Sequence, residues 1–435
     1  MSSPVWNPAV PPGRRRRGGS GRVVLIVGVS VACIVGAAFV AWLASRTGDA
    51  RGATLTLVFA TLPVPLVVSA YLWLDRYEPE PTRFLVAAVV WGGVVAVGVA
   101  LPIEVAFAKV AHVDLQHMAT FVAPLTEEPA KALFLLLVMV HRRREITSVT
   151  DGLVYAGLVG IGFAFTENVG YYAGGYAGTL TDRISGAQAA TSLFVVRGLF
   201  SPFAHSLFAS GFGLGMGVAL TTKRRWLKRV APVVGLAIGI ALHATWNGSV
   251  AMGGVGWFFG TYLGVFLPVF LGLITLAVVL RRRRLRALVV ALQDAATRGW
   301  LHPDEVSWLS TFSLRRQSRK YVKSHDGPAA ADVLREYQQV ASEMGFLHLR
   351  ELSGPTRPGL QRRIGECRAE MAWLRPRLRM PPPRRTLPFG VLALADKVPP
   401  GWAFQPPPQV GWAAQAGPPL PSTHARRRDE EASQS

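Results

Sequence analysis

Two adjacent glutamates and a lysine interrupt an apolar stretch in this 435-residue chain. The stretch reads APLTEEPAKALFLLLVMVHRRR and contains Glu127, Glu128 and Lys131 just before a long apolar run. Residues three or four apart share a helix face, so Lys131 is predicted to be the charge partner of the glutamate pair. Ionisable residues inside an apolar span are costly and are therefore candidates for function.

Further polar residues occur in the three apolar stretches that follow. Glu167 and Asn168 lie in FAFTEN, His205 lies in SPFAHS, and His243 and Asn247 lie in HATWN. His243 and Asn247 are four residues apart and so share a helix face. The set combines several carboxylates with two imidazoles, and Asn168 is predicted to support Glu167.

Carboxylates and imidazoles together suit two kinds of hydrolytic chemistry. One is a zinc site with Glu128, Glu167, His205 and His243 as ligands, an open position for water and a remaining carboxylate as general base. The other is activation of water by Glu and His without a metal, with His243 and Asn247 donating hydrogen bonds to a tetrahedral oxyanion. Either predicts hydrolysis of a peptide bond inside the membrane.

The composition indicates that the elements carrying these residues are transmembrane helices. The chain is 50% hydrophobic and only 17% charged, with a mean hydropathy of +0.29, and its apolar residues cluster in long blocks. We predict an all-α polytopic membrane protein with about eight spans of roughly 20 residues each. The predicted spans are 23–45, 53–74, 84–108, 119–141, 152–174, 193–220, 230–251 and 256–280.

The depth of the ionisable residues favours one shared site. Glu128, Glu167, His205 and His243 each lie about 14 to 18 residues from the charged end of their span, which is about 21–27 Å along a helix. They therefore share a layer in the outer half of a roughly 30 Å hydrocarbon core. A buried polar clamp or separate core histidines would not require a common depth.

Charge sets the predicted topology. The formal net charge is +21, and clusters such as Arg14–Arg17, Arg142–Arg144 and Arg281–Arg284 lie at alternate ends of the spans. By the positive-inside rule, both termini are predicted to be cytoplasmic. We expect these clusters to attract anionic lipid head groups, and we expect no nucleic-acid partner. The two cysteines allow no disulfide framework and no cysteine-type zinc site.

Four regions follow from these patterns. Residues 1–22 are predicted to form a basic, disordered N-terminus, and 23–280 the transmembrane domain, with the polar motifs at about 119–250. The first block is predicted to be a retained span and not a cleaved signal peptide. Residues 287–375 are predicted to be a helical cytoplasmic tail, and 376–435 a Pro-rich disordered tail.

Several motifs resemble those of the PrsW family of intramembrane proteases, which is grouped with the type II CAAX prenyl proteases and APH-1. They are EEPAK, FAFTEN, the His205 segment and HATWN, together with DGLVYAG, over about residues 119–250. The resemblance implies a bacterial cell-membrane peptidase acting on single-pass membrane proteins, such as anti-sigma factors, near the outer face. It implies that the catalytic candidates are Glu127, Glu128, Glu167, His205 and His243, and it leaves open Zn²⁺ or a metal-independent glutamate mechanism.

Two other functions fit the same residues. A proton- or ion-coupled transporter could use them as a relay, although no inverted repeat is evident. A non-catalytic membrane scaffold, as in the APH-1 branch, needs no such full set of acids and histidines.

Overall fold

The computed structural model of the protein is helical throughout the part of the chain that it describes. No strand occurs among the described residues, which confirms the predicted all-α class. Arg14–Arg17, Arg142–Arg144 and the Pro-rich tail from 381 onward lie outside these residues. The described residues are 19–76, 80–141, 148–180, 184–251, 254–353, 359–378 and 380.

The chain divides into two compact units at Arg281 and Arg282. The first unit contains the motif-bearing helices. Its helices are α1 Gly19–Ser45, α2 Ala50–Thr61, α3 Val64–Asp75, α4 Thr82–Val90, α5 Val97–Ala111, α6 Leu115–His117, α7 Ala123–His141, α8 Val149–Tyr176, α9 Gly186–Phe194, α10 Ala204–Thr221, α11 Arg225–Ala251, α12 Val255–Thr261 and α13 Leu267–Thr297. Four π-helical segments adjoin them, at Trp91–Ala96, Met118–Val122, Val195–Phe200 and Tyr262–Phe266.

Seven helical runs in the described residues are long and apolar enough to cross a membrane. The predicted fourth span, 119–141, is not among them, because α7 carries Glu127, Glu128 and Lys131. These three side chains are buried, whereas Leu125 and Val140 on the same helix are about 60% exposed (61% and 60%). Apolar residues therefore face outward and charged residues inward, as expected of a helix between lipid and a polar centre.

Several helix boundaries differ from the predicted spans. The span 53–74 is two helices, since the chain breaks at Pro63 before α3. The span 193–220 breaks at Ser201–Phe203, where Pro202 cannot continue the helix because it lacks an N–H. The helix predicted to end at 280 continues to Thr297, because arginine side chains are compatible with a helix that leaves the apolar region.

Helix α8 is the buried centre of the first unit, and glycines bring its neighbours into backbone contact. A Cβ atom on Gly152 of α8 would lie 2.2 Å from the carbonyl oxygen of Gly213 on α10. A Cβ atom on Gly235 of α11 would lie 2.2 Å from the carbonyl oxygen of Gly211 on α10. This is the small-residue packing that holds membrane helices together, and it fixes α8, α10 and α11 at the short separation that the polar side chains need.

We expect Gly152→Ala to destabilise the protein, because its methyl group would overlap a backbone oxygen that cannot move without separating two helices. Overpacking of this kind costs about 1–3 kcal/mol. Gly272→Ala is the matched control, since nothing lies within 4 Å of its added Cβ. Thermal unfolding in detergent should show a lower midpoint for Gly152→Ala only, and equal midpoints for the two variants would contradict the close packing.

The second unit contains three further helices: α14 Glu305–Ser310, α15 Phe312–Ser353 and α16 Leu360–Leu374. Helix α15 is interrupted at Gly327, where φ is 88°. The buried carboxylate of Glu305 accepts hydrogen bonds from Tyr337 and Arg375, so it joins three segments of this unit.

Burial makes Cys367 on α16 a poor nucleophile. Desolvation, with a smaller contribution from the Glu343 carboxylate, raises the pKa of this thiol to about 12. A thiol reacts as its thiolate, so the raised pKa keeps the reactive fraction very small at pH 8. In a Cys33→Ser background, we expect Cys367 to react with a soluble maleimide only after denaturation. An Arg362→Cys, Cys367→Ser control, with an exposed thiol on the same helix, should react at once; equally fast labelling of native Cys367 would contradict its burial.

Candidate active site

Three helices bring the ionisable residues of the motifs into one buried cluster. Helix α7 contributes Glu127, Glu128 and Lys131, α10 contributes His205, and α11 contributes His243. All five side chains are buried. The glutamates and lysine share a face of α7 because they are three and four residues apart, as predicted. His205 lies in the first turn of α10, which begins directly after the break at Pro202.

The ammonium group of Lys131 lies in the middle of the cluster. It donates hydrogen bonds to Glu128 Oε1 at 2.7 Å and to Glu127 Oε2 at 3.2 Å. It also donates to His205 Nδ1 at 3.1 Å. The ring of Phe163 lies 3.8 Å from Nζ, so one face of the ammonium contacts an aromatic ring. Lys131 is thus the charge partner of both glutamates, as its spacing predicts.

His243 makes one strong contact and leaves one nitrogen free. Its Nδ1 lies 2.9 Å from Glu128 Oε1, so Nδ1 carries the proton and donates a hydrogen bond to the carboxylate. Its Nε2 is buried without a hydrogen-bond partner among the described residues, 3.8 Å from Glu127 Oε2. The ring stacks on Phe208 at a centroid distance of 4.8 Å. His243 therefore presents an unprotonated Nε2 to the cluster.

Glu167 on α8 contacts the cluster only through His205. Its Oε2 lies 2.5 Å from His205 Nε2 and accepts a hydrogen bond from Arg197 Nη2 at 2.7 Å. Asn168 accepts a second bond from Arg197, from Nε at 2.7 Å. Since His205 Nδ1 accepts from Lys131, the proton of this imidazole is on Nε2.

Asn247 lies one turn after His243 on α11, and its side chain donates a hydrogen bond to a backbone carbonyl. Its Nδ2 donates to the carbonyl oxygen of Ala119 at 2.7 Å, in the π-helical segment that precedes α7. It therefore ties α11 to the start of the helix that carries the glutamates. The predicted bond from Asn247 to an oxyanion would require its amide to leave this carbonyl.

Four of the side chains are close enough to bind one metal ion. One ligand-type atom from each of Glu127, Glu128, His205 and His243 lies within 4.8 Å of the others. This group differs from the predicted ligand set in one member, since Glu127 takes the place of Glu167. The carboxylate and imidazole donors fit Zn²⁺, and the unpartnered Nε2 of His243 supplies a free lone pair. The ammonium of Lys131 contacts three of the four residues, so a bound metal would have to displace it.

Two ionisable residues near the cluster are absent from the predicted site. Arg197 holds Glu167, and Glu104 on α5 accepts a 2.6 Å hydrogen bond from Thr126 Oγ1, one residue before the glutamate pair. Both lie in apolar stretches, SLFVVRGLF and ALPIEVAF, so the test for intramembrane charge that selects the other residues would also select them. A small cavity beside His205 is lined by the polar side chains of Arg197, Asn168 and Ser201, so polar groups adjoin the cluster on this side.

The fold and the site define a multi-pass helical membrane protein with a buried centre of carboxylates and imidazoles. Residues 80–273 match the family described as "PrsW family intramembrane metalloprotease". This part of the chain is therefore similar to the PrsW family of intramembrane proteases, and that similarity supports a peptidase. No curated protein and no solved structure matches the chain significantly.

The match is wider than the region of resemblance expected from the motifs. It begins at Glu80 and includes the third predicted span, which the motifs leave outside the core at 119–250. The structure supplies a physical reason, because α4 and the segment after it pack directly on α8. A Cβ atom on Gly92 would lie 1.9 Å from the carbonyl oxygen of Val159, and Thr166 donates a 2.7 Å hydrogen bond to the Gly93 carbonyl.

Proposed function

We propose that this protein is an intramembrane endopeptidase that cleaves single-pass membrane proteins near the outer face of the membrane. The observation that carries the proposal is the buried cluster of two carboxylates, two imidazoles and one ammonium contributed by three helices. Such a cluster is expensive to bury. Within the described part of the chain, one of its imidazole nitrogens, His243 Nε2, has no hydrogen-bond partner, which supports a place there for a reacting group or a metal.

The hydrogen bonds support different roles for the two glutamates. Glu128 Oε1 already accepts from Lys131 and from His243, whereas among the described residues Glu127 Oε2 accepts only the longer bond from Lys131. Glu127, with fewer hydrogen bonds, is thus the more available to bind a metal. Glu128 is better placed to orient His243 and to accept a proton from water. Zn²⁺ held by Glu127, His205 and His243 would supply Lewis-acid activation of that water.

Residues of the chain itself perform the remaining steps. Glu128 takes the proton of the attacking water as general base and later returns it to the leaving amine. Lys131 offsets part of the negative charge of the two glutamates. In the mechanism without a metal, its ammonium is the candidate donor to the oxyanion that forms on the scissile carbonyl oxygen. Without a metal, the same Glu128 and His243 pair would activate water directly, so both mechanisms use these residues.

The helices support the proposed substrate class and location. A site buried within a helical bundle is reached by a segment that is itself in the membrane, which favours single-pass proteins such as anti-sigma factors. The predicted position of the cluster in the outer half of its spans supports cleavage near the outer face, and the positive-inside rule supports both termini in the cytoplasm of a bacterial cell.

The direct test is cleavage in proteoliposomes that contain only this protein and a tagged single-pass substrate. We expect two fragments, with the new terminus, located by mass spectrometry, near the outer end of the substrate helix. An intact substrate, together with a substrate-dependent current across the liposome membrane, would instead indicate a transporter. Binding of the substrate without cleavage or current would indicate a scaffold.

A further inference from the structure

We propose that Arg197 is a positioning residue for the active site, acting on His205 through Glu167. The inference rests on the proposed peptidase function, and it assigns Glu167 to orienting a histidine and not to binding the metal. Arg197 lies in the π-helical segment Val195–Phe200, ahead of the Pro202 break, so one short stretch of chain carries both Arg197 and His205.

The guanidinium of Arg197 is held by three contacts. Nη2 donates to Glu167 Oε2 and Nε donates to Asn168 Oδ1, each at 2.7 Å. The ring centroid of Tyr171 lies 4.0 Å from Cζ. The side chain is only 12% exposed, so these contacts are shielded from solvent. Arg197 therefore contacts three side chains within about one turn of α8 and fixes the direction of the Glu167 carboxylate.

The direction of Glu167 decides which nitrogen of His205 faces the cluster. The Oε2 atom that Arg197 binds is the atom that lies 2.5 Å from His205 Nε2. Holding the proton on Nε2 leaves the lone pair of Nδ1 directed at Lys131 and the glutamates. Without Arg197, the carboxylate would be free to rotate, and the imidazole would lose one of the two contacts that fix its tautomer, the other being Lys131 at Nδ1.

A second carboxylate–histidine pair in the same cluster supports this reading. Glu128 holds His243 through Nδ1 and leaves Nε2 free, whereas Glu167 holds His205 through Nε2 and leaves Nδ1 free. Each histidine thus has one ring nitrogen hydrogen-bonded to a carboxylate and the other directed into the cluster. Proteins commonly orient the histidines of a metal or catalytic site in this way. Glu167 is not a member of the four-residue group within 4.8 Å, as expected for an orienting residue.

The planar guanidinium of Arg197 can make both hydrogen bonds at once, which distinguishes arginine from lysine at this position. One fork binds two adjacent side chains at once, which the single ammonium of a lysine cannot reproduce with the same geometry. Arg197→Lys should therefore retain the charge beside Glu167 and lose the fixed orientation, so it should recover only part of the function that Arg197→Gln loses.

The test compares Arg197→Gln, Arg197→Lys, Glu167→Gln and the Glu167→Gln, Arg197→Gln double variant, with Arg46→Gln as a control at an exposed arginine. Substrate cleavage gives kcat and KM, and ¹⁵N NMR of histidine-labelled, metal-free protein gives the tautomer of His205. We expect Arg197→Gln to lower kcat by about 10- to 100-fold with a smaller change in KM. The His205 signal should change from one Nε2–H tautomer to a mixture, and the double variant should be no slower than Glu167→Gln.

Three results would overturn the proposal. They are wild-type kcat and His205 signals in Arg197→Gln, losses that multiply in the double variant, and full recovery by Arg197→Lys. If Arg197→Gln does not fold, Arg197→Lys carries the same NMR measurement. If even the wild-type protein cleaves nothing, the proposed function fails, while the His205 tautomer still decides whether Arg197 positions this ring.

Discussion

Glu128→Gln is expected to abolish substrate cleavage while the protein still folds and inserts into the membrane. Loss of a general base alone lowers a rate by about 10²- to 10⁴-fold. Here the carboxylate also accepts hydrogen bonds from His243 Nδ1 and Lys131 Nζ, at 2.9 and 2.7 Å. An amide has nearly the same shape but no charge, so we expect a loss of about 10³-fold or more, mainly in kcat.

The folded state should tolerate the substitution because Lys131 retains a carboxylate partner in Glu127. Glu80→Gln is the matched control, since Glu80 is also a hydrogen-bonded glutamate, accepting from Tyr155 at 2.9 Å, and it is not part of the cluster. The measurement is the initial rate of cleavage in proteoliposomes at equal protein amounts, with thermal unfolding as a check on folding. Retained cleavage by Glu128→Gln would falsify its role as the base.

The second large effect is expected in the metal content of the purified protein. If the cluster binds zinc, wild-type protein should contain about one Zn²⁺ per chain, and His205→Ala should lose nearly all of it. Changing only a residue that orients a ligand costs 10- to 100-fold in affinity, so removing a ligand should cost at least roughly 100-fold. Lys131 would then offset part of the negative charge of the empty cluster, because its ammonium contacts both glutamates.

Elemental analysis after washing with a weak chelator gives this measurement. His117→Ala is the control, because His117 is an exposed histidine, with 57% of its side chain accessible, that contacts only Asp114 and Phe121 in the described contacts. Equal zinc in wild type and His205→Ala would place the metal elsewhere. A wild-type protein that cleaves substrate and contains no metal would contradict the zinc site and support activation of water by Glu128 and His243.

Local sequence was enough to predict which helices matter and which of their residues are polar. Apolar run length and the charges at each end depend only on neighbouring residues, so the spans of α8 and α11 and the inward face of α7 follow directly from composition. The rise of a helix is constant, so the shared depth of Glu128, His205 and His243 can also be predicted from residue counts. The contacts among these three residues agree with that common depth.

The tertiary structure decided which atoms meet. The rotation of each helix and its distance from the next depend on close contacts between distant segments, such as Gly152 with Gly213, and no local pattern specifies them. For that reason, the sequence alone placed Glu167 among the metal ligands, whereas packing joins it to Arg197 and His205 and brings Glu127 into the group of four. Residue type and depth are properties of single helices, but the partner of each buried charge is a property of the assembled bundle.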